Sequence, residues 1–231
     1  MWSHDGNRIF FTSVRPGGMG LNQMSANGAG QEEQLYQSSD PKFLPVPTPD
    51  GKFILFENVS AEGNSGDLLL LPMNVSAADR KPAPLLQTRF VEGGGRFSPD
   101  GRWVAFNSNQ SSQFEVYTLP FDESNPGASS SAGQRLISKG GGSMPHWRGD
   151  GKQLFYFAPD GYLMAVDINA ASGQPGTPQR LFKSPSADFA TWDVSADGSK
   201  FLVASPVASG SSTPASQPFH AIVNWTDLLK R

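Results

Sequence analysis

One tight corner, repeated five times at a nearly constant spacing, constrains this chain more than any other feature. The best-formed copy is Phe97-Ser98-Pro99-Asp100-Gly101-Arg102-Trp103-Val104-Ala105-Phe106-Asn107-Ser108. Proline presets φ at the second position of a tight turn, Asp hydrogen-bonds its own backbone, and Gly accepts a positive φ. The residues that leave the turn alternate, so Trp103, Ala105 and Asn107 face one side while Val104, Phe106 and Ser108 face the other. The same corner recurs at Ser3-His4-Asp5-Gly6, Thr48-Pro49-Asp50-Gly51, Arg148-Gly149-Asp150-Gly151 and Ser195-Ala196-Asp197-Gly198, each followed by an apolar strand. Asp-Gly therefore begins at 5, 50, 100, 150 and 197, in steps of 45, 50, 50 and 47.

A period in the forties to low fifties, filled with strands and turns, is the length of one four-stranded propeller blade. Helical repeats of this length would show a 3.6-residue apolar period, which no long stretch shows, and 25 Gly and 19 Pro would interrupt them. The chain is expected to be all-β: a β-propeller of four-stranded antiparallel blades, with five recognisable repeats, forming an incomplete six-bladed ring. One domain over 1–231 is expected, with blades at about 1–41, 42–92, 93–142, 143–187 and 188–231. The last blade supplies three strands, beginning with an inner strand at Phe189 to Val194 and ending in His220 to Trp225 after a Ser/Pro/Ala linker at 206–218. Asp79-Arg80-Lys81-Pro82 is expected to be a charged, exposed turn in blade two, and a long Ser/Gly/Pro-rich loop is expected from Asp122 to Gly133 in blade three. Met1-Trp2-Ser3 falls at the end of an innermost strand, so the ring is expected to stay open there, and the chain to be the C-terminal fragment of a larger protein.

Composition narrows the function classes. The formal net charge is −3 and the 18 Lys and Arg are scattered, which leaves no basic footprint for nucleic acid. With no cysteine, disulfides and thiolate metal sites are excluded, and both cytosol and bacterial periplasm suit the chain. No apolar run approaches the length of a membrane helix.

No residue pattern points to chemistry. His4, His146 and His220 lack an activated nucleophile nearby and read as structural or surface histidines. The five corner aspartates are explained by turn chemistry, and their spacing lacks the alternating ligands of a calcium loop. Trp103, Trp147 and Trp192, with Phe53 and Phe97, recur at blade period and are expected to pack between blades rather than to form a sugar-binding face. Glycine-rich stretches at 17–20, 93–95 and 140–142 miss the phosphate-binding patterns and are expected to be loops just before inner strands. The expected sets of catalytic, cofactor-binding and metal-binding residues are therefore all empty, as is the list of cofactors.

The corner followed by Glu115-Val116-Tyr117 resembles the TolB-like, PD40-type relatives of WD40 repeats. Gly141-Gly142-Ser143-Met144-Pro145-His146-Trp147-Arg148, Pro159-Asp160-Gly161-Tyr162-Leu163-Met164 and the ending Ile222-Val223-Asn224-Trp225 are similar to the last blades of propellers in acidobacterial-type proteins. His4, Gly149 and Ala196 depart from the motif, standing where it has proline. There the propeller often follows a serine/threonine kinase domain or a winged-helix DNA-binding domain. The resemblance implies a non-enzymatic scaffold or sensor that binds protein or peptide on one face, in a periplasmic or extracytoplasmic setting. No kinase motif occurs in this chain, so any kinase would lie upstream. Two other functions go with a propeller of this kind. A serine-peptidase propeller of the dipeptidyl-peptidase or prolyl-oligopeptidase type would need a downstream hydrolase domain. A lactonase-like propeller would need a central ring of acids, Asn and His that the inner strands do not supply.

Overall fold

The computed structural model describes residues 1–60, 65–126, 133–184, 192–204 and 219–223, the last five as backbone. Its strands fall into five antiparallel sheets, each following the chain outward from an inner strand. The first holds β1 (Arg8–Arg15), β2 (Gly18–Ser25) and β3 (Glu33–Ser38), and the second β4 (Lys42–Pro47), β5 (Phe53–Val59), β6 (Gly66–Pro72) and β7 (Ala83–Leu86). The third holds β8 (Glu92–Phe97), β9 (Trp103–Ser108), β10 (Glu115–Pro120) and β11 (Arg135–Leu136). The fourth comprises β12 (Ser143–Trp147), β13 (Gln153–Phe157), β14 (Tyr162–Asp167) and β15 (Gln179–Lys183). The fifth comprises β16 (Trp192–Val194), β17 (Lys200–Ala204) and β18 (Phe219–Val223). One short 3-10 turn, Ala77–Asp79, is the only helical element among the described residues.

The alternation read from the sequence divides each second strand between two neighbours. Phe56 and Ile54 join Phe10, Leu21 and Leu35 between the first two sheets, while Leu55 turns the other way. Val104 and Phe106 pack with Leu55, Leu68 and Leu70, and Ala105 packs with Leu154, Tyr156 and Val166. Phe155 and Phe157 then meet Trp192, Phe201 and Val203 of the fifth sheet. One sheet cannot cover both of its own faces, so four apolar layers form between five sheets.

The corners are built as expected. Gly6, Gly51, Gly101, Gly151 and Gly198 have φ between 69° and 73°. The amides of Asn7, Lys52, Arg102, Lys152 and Ser199 donate to the aspartate two residues before, at 3.0–3.1 Å. In four corners a hydroxyl (Ser3, Thr48, Ser98 or Ser195) donates to that same carboxylate, and in the fourth sheet Arg148 takes this role.

Three local expectations need correction. Gly18 and Gly20 lie inside β2, and Gly93, Gly94 and Gly95 lie inside the innermost strand β8 rather than in a loop before it. A Cβ at Gly93 would come within 2.8 Å of Glu57 Oε2, and one at Gly95 within 2.7 Å of Leu55, so these glycines make room for side chains of the second sheet. The turn over Asp79 to Pro82 is not exposed throughout, because Arg80 folds back and donates to Glu33 of the first sheet at 2.8 Å. The linker at 206–218, residues 127–132 of the loop after Asp122, and Asn224 and Trp225 of the expected last strand lie outside the described residues. So do residues 189–191, the start of the fifth sheet's expected inner strand.

Three strands are expected of blade five, and for blade one only the end of an innermost strand; the first and fifth sheets have three each among the described residues. Trp2 bridges Ile9, and Met1 exchanges two backbone bonds with Phe10 at 2.7 Å, so the first residues pair along the inner edge of β1. No closed ring is seen among the described residues.

Candidate functional site

The inner strands converge where the sheets meet, and three of them share one distortion. In β4, Phe43 pairs with Glu57 and Val46 with Leu55; in β8, Gly93 pairs with Asn107 and Arg96 with Ala105; in β12, Ser143 pairs with Phe157 and His146 with Phe155. Each inner strand thus carries one extra residue, a β-bulge that bends the strand and re-aims its side chains. The second residue of each bulge has a positive φ: 52° at Leu44, 66° at Gly94 and 54° at Met144. These positions lie 50 residues apart, so the distortion belongs to the repeat. Glycine adopts this backbone freely, whereas Leu44 and Met144 each pay about 1 kcal/mol in Cβ sterics. Pro45 and Pro145 follow them, and a bulge tolerates proline because no ladder donor is needed there.

Cross-sheet bonds hold the bulges in place. The Trp147 indole donates to the Arg96 carbonyl at 3.1 Å, and the Trp192 indole donates to the Met144 carbonyl at 3.2 Å. Trp103 donates to Ala170 of the fourth sheet's outer loop at 3.3 Å, with the Arg135 guanidinium 4.7 Å above its ring. All three tryptophans therefore join neighbouring sheets, as the repeat implied. Phe53 and Phe97 meet at Phe121, with ring centroids 6.3 and 5.0 Å away.

A cavity of 590 Å³ lies where these strands converge. Phe43, Leu44 and Pro45 of one bulge and Met144 of another form its wall, with Phe10, Phe11 and Thr12 of β1, Met1, and Glu57 of β5. Strands of the first, second and fourth sheets all reach it, which places it on the axis around which the sheets are arranged. Its volume suits a small ligand or a few side chains of a larger one. Phe43 is 43% exposed, a large ring left open to solvent beside it.

The charges around the axis are sparsely paired. Among the described residues the Glu57 carboxylate accepts one bond, from the Gly94 amide at 3.3 Å, and burial pushes its pKa up. Arg96 donates to the Gly95 carbonyl at 3.1 Å, and its buried Nε has no partner among the described residues. Asp193 and Glu57 act on it through space. His146 sits 4.2 Å from the Trp192 ring, and burial together with Arg96 pushes its pKa down to about 3, so it is a neutral packing group at ordinary pH.

A second crevice of 350 Å³ lies between corner turns of the first two sheets, beside the exposed His4. Its charges are already committed: Asp5 and Asp50 to their own turns, Arg8 to Gln23 and Arg80 to Glu33. The His220 side chain lies outside the described residues. Among the described residues no three His, Asp or Glu side chains gather as a metal site would require, and no helix is long and apolar enough to cross a membrane.

The axial cavity was not read from the sequence. Its signal was present in Phe43-Leu44-Pro45-Val46 and Ser143-Met144-Pro145-His146, where proline inside an expected inner strand marks a bulge.

No protein-family model and no curated protein matches the chain. Solved structures do. TolB from Acinetobacter baumannii superposes with a TM-score of 0.66 at 22% identity, over 89% of this chain and 48% of that one. Puromycin hydrolase superposes at 0.60 with 17% identity, over 86% of this chain and 34% of that one. The periplasmic gluconolactonase PpgL of Pseudomonas aeruginosa superposes at 0.56 with 18% identity, over 88% of this chain and 61% of that one. The chain thus spans less than two thirds of each. At such identities the likeness carries the fold, a TolB-like β-propeller, and not the chemistry.

Proposed function

We propose that this chain is a non-catalytic propeller whose axial cavity captures a segment of another protein or a peptide, as a scaffold or sensor unit. The observation that carries this reading is the pair of strained non-glycine residues, Leu44 and Met144, held in the cavity wall by the repeat. Strain of this kind persists where the surroundings over-determine it, and ligand clamps are among the places where it collects. The exposed Phe43 ring beside them offers an apolar anchor. Selection of binders from a random displayed-peptide library tests the reading. Selected peptides should bind the wild-type chain and lose about tenfold or more in affinity to Phe43→Ala, the loss of a hot-spot side chain. Selected peptides indifferent to Phe43→Ala and to Leu44→Asp would overturn it.

The motif resemblance further supports a five-repeat, C-terminal propeller of a longer protein with a serine/threonine kinase or winged-helix regulator upstream. An antibody against this chain should then detect, in source cells, a band far above 24.8 kDa. A band at that mass would refute the attachment. A second reading, the propeller of a serine peptidase, draws on the likeness to puromycin hydrolase. Under it, the protein immunoprecipitated from source cells would react with a fluorophosphonate serine-hydrolase probe, which the first reading predicts it will not.

A further inference from the structure

Among the described residues, the cavity wall is apolar but for Thr12 and Glu57, and Glu57 is the one ionisable side chain in it. Three glycines bear on how this carboxylate is placed. A side chain at Gly93 would run into both of its oxygens, at 2.8 and 3.0 Å, so glycine there keeps the position open. Gly94 supplies the single donor among the described residues, at 3.3 Å, and Gly95 gives its carbonyl to Arg96 instead. Among the described residues no Lys, Arg or His comes within ion-pair distance of Glu57. Hydrogen-bonding capacity is therefore left facing the cavity.

The neighbouring cations do not supply what is missing. Arg96 lies between two carboxylates, Glu57 and Asp193, and pairs with neither at 4.0 Å or closer among the described residues. The Met1 backbone nitrogen is already committed, to the Phe10 carbonyl at 2.7 Å. His146 is neutral. An incoming cation thus meets a carboxylate with room for further bonds, inside an apolar wall where Coulomb attraction is stronger than in water. Phe43, Leu44 and Met144 meanwhile offer contact to an apolar group beside that cation.

We propose that the captured segment presents a basic side chain next to an apolar one, with its guanidinium or ammonium paired to the Glu57 carboxylate in the axial cavity. This rests on the peptide-capture reading above and names the chemistry of the partner. A guanidinium suits the site best, because its planar fork can bond both carboxylate oxygens.

The test titrates the full chain by NMR with acetyl-leucyl-arginyl-leucine amide and with its citrulline counterpart, which keeps shape and hydrogen-bonding nitrogens but carries no charge. The arginine peptide should bind about tenfold more tightly, the factor expected of one charge-assisted pair, and the preference should shrink at high salt. Glu57→Gln, which retains an acceptor for Gly94, should abolish the preference while leaving the thermal midpoint unchanged or higher. Phe43→Ala should weaken both peptides alike. Equal binding of the two peptides to wild type, or a preference that survives Glu57→Gln, would overturn the proposal and leave peptide capture standing. Failure of both peptides to shift cavity resonances would overturn it together with the reading on which it rests.

Discussion

A corner aspartate satisfies its turn with one carboxylate oxygen, which accepts the amide two residues on and, in four corners, a hydroxyl at the turn's start. These bonds, and at Asp150 above all the Arg148 guanidinium, favour the charged form and hold Asp5, Asp50, Asp150 and Asp197 at about 2, with Asp100 also lowered. A carboxylate whose pKa is depressed in the fold stabilises it fully above its unfolded pKa near 3.8, and loses that contribution as pH falls toward 2. The urea midpoint should therefore drop steeply between pH 4 and pH 2; a flat profile would contradict the corner chemistry. Glu92 has the opposite sign. It is fully buried, accepts from Thr88 at 2.6 Å, leaves Oε2 without a partner among the described residues, and burial raises its pKa. Its ionisation opposes folding above the ordinary carboxylate range. Glu92→Gln should accordingly gain about 1 kcal/mol at pH 7 and nothing below pH 4, where the wild-type carboxyl is already neutral. At Gly101 φ is +71° and an added methyl would meet only Pro49, at 3.7 Å, so Gly101→Ala should cost about 1–2 kcal/mol through backbone strain alone.

Strands were legible because their signals are local. The alternation around Val104, Ala105 and Phe106 gave both the strand and the two layers it serves, and the Asp-Gly turns gave the register of its hairpin. The bulges at Leu44, Gly94 and Met144 were not foreseen, because a one-residue insertion in an inner strand is set by where neighbouring sheets crowd, not by its own apolar pattern. The same is true of Gly93 and Gly95, whose reason lies in Glu57 and Leu55, some 40 residues earlier, and of Gly94, where a Cβ would run into Asn107. Arg80 misled for a related cause: a charged turn looks solvated until its partner Glu33, 47 residues away, is placed. Phe106 tests the layer picture. It is fully buried in the layer shared with the second sheet and stacks on Tyr117 at 5.8 Å. Phe106→Ala should cost about 3–5 kcal/mol in urea unfolding, as a cavity in a packed core does. A loss below 1 kcal/mol would mean that the sheets are not packed through this layer.

At the scale of the molecule, the five sheets share one plan, yet their axial ends differ: Thr12, Glu57, Asn107 and Phe157 occupy the equivalent position of successive second strands. The repeat builds the fold, and the departures from it give the axis an individual surface, apolar on several sides and acidic at Glu57. The corners, with their internally satisfied aspartates, form the opposite, self-contained end of each hairpin. The central claim is that binding takes place at the axis and not at the corners or the outer strands. Hydrogen–deuterium exchange, with and without a saturating library-selected peptide, tests it most directly. The account predicts slowed exchange at amides of Phe43 to Val46 and Ser143 to Trp147, with the Asp-Gly corners unchanged. Protection confined to the corners or to outer strands such as β7 and β15 would contradict it.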